Sequence, residues 1–205
     1  IAGGVNLTAN TQLLVSQCIV YVSVGGSSTS PLADATWLAG SGIVISTPVY
    51  LSPLDPLSVT QGGTFTLNGD STSVGGGTSG VGSVSIINNS KLEIRQPGLG
   101  ALVIRGSDLV VTSSVTQWLN ATYVDTTFEL HIFPSLVTAS SMLIGGDEFV
   151  SDPFGIASFT ISTTELDGIV CAGILSLGGV TTQTLVVASL TYAPTIAAPS
   201  KIIID

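Results

Sequence analysis

Short alternations of apolar and polar residues run through most of this chain, and they predict strands rather than helices. Residues 1–9 alternate from the first position: Ile1, Gly3, Val5, Leu7 and Ala9 share one face of an extended segment, and Ala2, Gly4, Asn6 and Thr8 the other. Residues 13–24 continue as a long strand with Leu14, Cys18, Val20, Val22 and Val24 on one side. Further strands are predicted over 42–51, 84–87, 91–95, 101–105, 109–115, 123–133, 155–162, 169–177, 184–192 and 201–205, punctuated by Gly, Pro and Asn. Gly62-Gly63 between 57–60 and 64–68 reads as a hairpin turn. No stretch carries an amphipathic helix of three turns, and no internal repeat of fixed length is visible.

About a dozen short strands with such turns predict an all-β fold, an antiparallel β-sandwich of immunoglobulin-like or jelly-roll type. One domain is expected over residues 13–205, preceded by the strand 1–9 and a hinge at 10–12. No tight turn lies in that hinge, so the first strand is not expected to fold back on 13–24 as a hairpin. Two placements are open to it: a distant edge of its own sheet, or the sheet of another copy.

Charge narrows the function classes. Only 8% of the residues are charged, with 13 acidic against four basic residues, Lys91, Arg95, Arg105 and Lys201, for a formal net charge of -9. No Lys/Arg cluster exists to neutralise phosphates, which argues against nucleic acid and anionic membranes as partners. No apolar run reaches the roughly 18 residues that span a bilayer, so no membrane insertion is expected. A first residue of Ile suggests processing after a signal peptide. A surface so poor in charge calls for cover by sugar or by other copies. It also suits an acidic medium, in which the carboxylates become neutral.

Candidate chemistry is sparse. Three sequons, at Asn6, Asn88 and Asn120, predict N-linked glycans on an extracellular protein. Cys18 and Cys171 allow one bridge, closing a loop of about 150 residues worth about 5 kcal/mol on the chain-entropy model. The alternative is two buried thiols; the extracellular signals point to the bridge. Gly145-Gly146-Asp147-Glu148-Phe149 spells the loop of diguanylate cyclases, but the helices and basic residues that such enzymes need are missing. His131 is the sole histidine, with Glu129 on its strand face, and no nucleophile elbow accompanies it. Asp147, Glu148 and Asp152, or Glu165 and Asp167, are acids in turns with a weak calcium reading. No catalytic site, metal or cofactor is expected.

The charge-poor β body, the three sequons and residues 1–9 together resemble the archaeal surface filaments known as threads and bundling pili, which are similar in assembly to chaperone–usher pilins. That resemblance implies head-to-tail polymerisation of identical subunits at the cell surface, in adhesion or biofilm formation. It implies that Ile1, Gly3, Val5, Leu7 and Ala9 form the face donated to a neighbour's groove, with Ile202 and Ile204 of the C-terminal strand as the rival donor. A viral coat jelly roll and a secreted β-sandwich binding module are the alternative readings.

Overall fold

The chain winds as one coil, its first four turns each laying a strand on each of three sheets in the same order. The computed structural model describes residues 6–17, 19–23, 26–27, 34–52, 59–61, 63–71, 82–95, 99–122, 124, 126–135, 140–146, 159–179, 182–188 and 198–205. The first turn holds β1 (Leu7–Ala9), β2 (Leu13–Val15) and β3 (Val20–Ser23), followed by the two-residue β4 (Gly26–Ser27). The second holds β5 (Ala35–Ala39), β6 (Ile43–Ile45) and β7 (Val49–Ser52), followed by β8 (Val59–Gln61). The third holds β9 (Gly63–Asn68), β10 (Val84–Asn88) and β11 (Leu92–Ile94), and the fourth β12 (Leu99–Gly106), β13 (Leu109–Ser113) and β14 (Leu119–Ala121). The fifth is longer: β15 (Glu129–Pro134), β16 (Ser140–Ile144), β17 (Phe159–Ile161), the short helix α1 (Thr163–Asp167) and β18 (Ile169–Cys171). The sixth holds β19 (Ile174–Leu177) and β20 (Thr182–Val187), and β21 (Lys201–Ile204) returns to the first sheet to begin a seventh.

The first sheet runs β1-β5-β9-β12-β15-β19-β21, the second β2-β6-β10-β13 and the third β3-β7-β11-β14-β18. A fourth, β17-β16-β20, lies beside β13, where Asp108 Oδ1 accepts from Thr160 N and Oγ1 at 3.0 Å each. All strand pairs in these four sheets are parallel. Among the described residues only β4 and β8 pair antiparallel. The winding is that of a parallel β-helix, and it corrects the expected antiparallel sandwich. Alternation says which side chains face inward; it carries no information on the partner strand or its direction. At Asn88, Asn89 and Gly106 the chain does not reverse but passes onto another sheet. The expected hairpin of 57–60 with 64–68 is not formed: β8 pairs with β4, and β9 with β5 and β12.

The core is a set of stacked columns. In the first sheet Leu7 pairs with Trp37, Trp37 with Leu67, Leu67 with Ile104, Ile104 with Ile132, Ile132 with Leu177 and Leu177 with Ile204. The steps along that column are 30, 30, 37, 28, 45 and 27 residues, which is why no fixed period shows. The five central members are buried. Trp37 packs edge-on against Phe65 from the neighbouring inward column, ring centroids 5.1 Å apart.

Polar side chains tie turn to turn at the corners. Asn6 Oδ1 accepts from Thr36 N at 3.0 Å, and Asp34 Oδ1 from Thr64 N at 2.7 Å, one turn further on. The buried Ser90 hydroxyl donates to the carbonyl of Ile45 at 2.8 Å, and Ser113 Oγ to that of Ser90 at 2.8 Å. Each such bond satisfies a backbone group that a ladder leaves open where it turns. At one corner the backbones touch: a Cβ on Gly82 would fall 1.8 Å from the Gly69 carbonyl oxygen, so only glycine fits.

Leu7–Ala9 lies within the chain's own first sheet, parallel to β5. Ile1, Gly3 and Val5 of the expected donated face lie outside the described residues. The expected hinge is a bonded corner: Gly40 N donates to Ala9 O at 3.1 Å and Ser41 N to Thr11 O at 2.9 Å. Cys171 is a free, buried thiol, so the expected bridge to Cys18 is not made. It belongs to β18, one edge of the third sheet, whereas β3, which begins two residues after Cys18, is the other edge. Four strand spacings, about 19 Å, separate those edges, and a disulfide needs Cα atoms within about 7 Å. Cys18 itself lies outside the described residues. Burial pushes the Cys171 thiol up to about 11, against a hydrogen bond with the Gly173 backbone that acts the other way.

Candidate functional site: two open edges and a groove at the α1 corner

A solenoid of parallel strands has two ends, and each leaves a row of ladder groups without a neighbouring strand. One end is formed by β1, β2 and β3; the other by β21, β20 and β18. Six large apolar side chains stand exposed among the described residues, and all six belong to these end turns. Leu14, Ile19 and Tyr21 are at the first end, and Val187, Ile202 and Ile204 at the second, with exposures from 37% to 62%. The second set has a specific origin. Ile204 ends the inward column through Leu177 and Ile132, Ile202 ends the one through Leu175 and Leu130, and Val187 ends the one through Ile144 and Ile161. These residues face the core direction, and among the described residues no further turn covers them. At the first end, Tyr21 is the last ring of an outward stack on Tyr50, with centroids 5.2 Å apart.

Lys91, Glu93 and Arg95 stand on the outer face of β11 and its flanks, between the buried Leu92 and Ile94. Glu93 pairs with both Lys91 and Arg95, and the Arg95 guanidinium lies 3.4 Å from the centroid of Tyr50. Partial burial pushes the Glu93 carboxyl up, but its bonds to Lys91 and Arg95 prevail and hold it below its usual value.

The second feature is a groove where the corner 114–118 meets α1. Ser162 caps the helix: its hydroxyl accepts from Glu165 N at 3.2 Å, while Glu165 Oε2 accepts from Ser162 N at 2.8 Å. Glu165 Oε1 reaches across to accept from Val111 N at 3.1 Å, tying α1 to β13. Trp118 Nε1 donates to the Glu165 carbonyl at 2.7 Å. Gly168 lets the indole in, since a Cβ there would lie 2.4 Å from Trp118 Cδ1. Burial raises the Glu165 carboxyl to about 7, against the bonds from Ser162 and Val111, and the Asp108 charge adds to the rise. A cavity of about 210 Å³ lies between Ser113–Trp118 and Thr164–Gly168. A second, about 320 Å³, adjoins it through Thr116, Thr164 and Gly168 and adds Gln117 and Asp167.

The remaining sequence candidates are scattered. Asn6 and Asn88 are exposed, the latter in a left-handed conformation with φ 60°, and Asn120 is half-buried. The hydrogen bonds of Asn6 and Asn120 run through Oδ1, from Thr36 N in one case and from Thr122 N and Oγ1 in the other. N-glycosylation uses the other amide atom, Nδ2. His131 and Glu129 bond at 2.8 Å on the outer face of β15. Asp147, Glu148 and Asp152 lie outside the described residues. Glu165 and Asp167 fall on α1, where Glu165 is a capping and bridging group. Among the described residues no cluster of three His, Cys, Asp or Glu could hold a metal ion. Reading acids alone missed Trp118 and Gly168. Ser162-x-x-Glu165 spells a capping box, and that signal announces the helix start in the sequence.

No family model, no curated protein and no solved structure matches the chain.

Proposed function

We propose that this chain is a structural subunit of an extracellular filament, carrying N-linked glycans, whose copies stack end to end through the open edges of the coil. The observation that carries this reading is that, among the described residues, exposed large apolar side chains are confined to the two end turns. All strands of the long sheets run in the same direction, so the free edge of β21 complements the free edge of β1 in a following copy. Such a joint is heterologous and does not close, so it propagates into a fibre. Ladder bonds between β21 and β1 and burial of Val187, Ile202 and Ile204 stabilise it together. Each half-exposed side chain contributes about 1 kcal/mol before ordering costs. The filament expected from the sequence is retained, with edge stacking in place of a donated strand.

Sedimentation velocity and electron microscopy of the purified chain test it. Concentration-dependent linear oligomers are expected. The double variant Val187→Lys, Ile202→Lys should remain monomeric with an unchanged circular dichroism spectrum, since both positions are already exposed. A wild-type chain that stays monomeric at every concentration defeats the reading.

A further inference from the structure

We propose that the groove between the corner 114–118 and α1 is a binding site for a neutral saccharide unit, independent of the joint between copies. Three properties carry this. The first is shape: two adjoining concavities of about 210 and 320 Å³ share one rim, a form that suits a small ligand rather than a flat protein partner. The second is the chemistry of that rim. Thr116, Gln117, Thr164 and Asp167 present hydroxyls, a carboxamide and a carboxylate. The side chains of Thr116, Gln117 and Thr164 make no hydrogen bond with another described residue. Hydroxyl and amide groups both donate and accept, and a sugar's hydroxyls do the same. No lysine or arginine lines either cavity. Lys91 and Arg95 are held by Glu93, Arg105 lies over Phe133, and Lys201 is on β21. An anionic ligand therefore finds no countercharge here, and Asp167 repels it.

The third property is a rigid floor with apolar character, which suits the C–H face of a sugar ring. The half-buried Val111 and Val115 supply it, over the buried Trp118 and Gly168. The Trp118 bond to Glu165 O and the Glu165 bond to Val111 N fix α1 against the coil. Ser113 and Ser114, on the groove wall, are bound to Ser90 and Asn88 of the preceding turn. The walls are thus committed to the fold while the side chains of Thr116, Gln117 and Thr164 are not, and a preorganised wall lowers the ordering cost of binding. The polar rim and the apolar floor come from two successive turns of the coil, so the site exists only once α1 has docked.

Nuclear magnetic resonance titration of the full chain tests this. The probes are the methyl glycosides of glucose, galactose and mannose, together with N-acetylglucosamine; galacturonate and inorganic phosphate are the anionic comparators. At least one neutral sugar should give saturable shifts confined to 111–118 and 163–168. Gln117→Ala and Thr164→Val should each weaken that binding roughly tenfold, the loss of one to two hydrogen bonds, with an unchanged melting temperature. Saturable binding that both variants leave intact overturns the proposal. So does tighter binding of galacturonate or phosphate, or the absence of a saturable response to all four neutral sugars. The Val187→Lys, Ile202→Lys variant should bind sugar like the wild type, so a failure of filament assembly and a failure of this site are read separately.

Discussion

Glu165 is a buried carboxyl surrounded by donors, and the opposing effects leave a definite sign. Burial raises it to about 7 in the fold, against 4.5 as its ordinary value. The native state therefore holds its proton more tightly than the unfolded chain, and ionisation costs the fold free energy. Stability from this group is fully present below about pH 4.5 and is lost as pH rises through about 7, a difference of about 3 kcal/mol. Burial raises Asp108 as well, in spite of its bonds from Thr160 and the Leu109 backbone, so the two carboxyls act in the same direction. Denaturant unfolding at pH 5 and pH 8 should show the chain more stable in acid. Glu165→Gln should flatten that slope whatever it does to absolute stability, because the amide does not titrate. An equally steep slope in the variant would place the pH dependence elsewhere. A chain more stable at pH 5 than at pH 8 would fit the acidic medium that the charge-poor composition suits.

The strands themselves share load unequally along a coil, because each turn touches only its neighbours. Ile104 on β12 and Ile204 on β21 occupy the same inward column, yet Ile104 is fully buried and Ile204 is 37% exposed. Ile104→Ala should cost about 3–4 kcal/mol, with a cavity left between two flanking turns. Ile204→Ala should cost about 1 kcal/mol or less in the monomer, measured by chemical denaturation. Equal costs would mean that the end turn is as well packed as the middle. The same columns show what was legible in the sequence. Residues 101–105 and 201–205 are short apolar runs rich in Val and Ile, and both are strands, because strand propensity is a local property. Their partners, β9, β15 and β19, lie 27 to 37 residues away, at steps set by insertions of unequal length. No local pattern encodes that spacing. The groove was hidden for a related reason: Ser113, Trp118 and Glu165 are brought together only by stacking, and each alone reads as an ordinary strand or turn residue.

At the scale of the whole molecule, the proposed joint between copies would set apolar edges against a shared negative charge. With a formal net charge of -9, two copies repel at neutral pH. Salt screens that repulsion, with a Debye length of about 10 Å at 0.1 M, and acid removes it by protonating the carboxylates. Association should therefore strengthen when sodium chloride rises from about 0.02 to 0.3 M at pH 7, and again when pH falls to about 4. A joint held by ion pairs would do the opposite and loosen in salt. Sedimentation velocity across both series decides between them: weakening by salt, or indifference to pH, rejects an apolar joint under charge repulsion. Acid also tightens the fold through Glu165, and that contribution has to be separated. Glu165→Gln does so, because it should flatten the pH dependence of unfolding while leaving the pH dependence of association in place. The remaining acid response then belongs to the surface carboxylates as a group. On this account the scarcity of lysine and arginine is what makes assembly conditional, with a neutral medium keeping copies apart and an acidic or saline one letting the end turns meet.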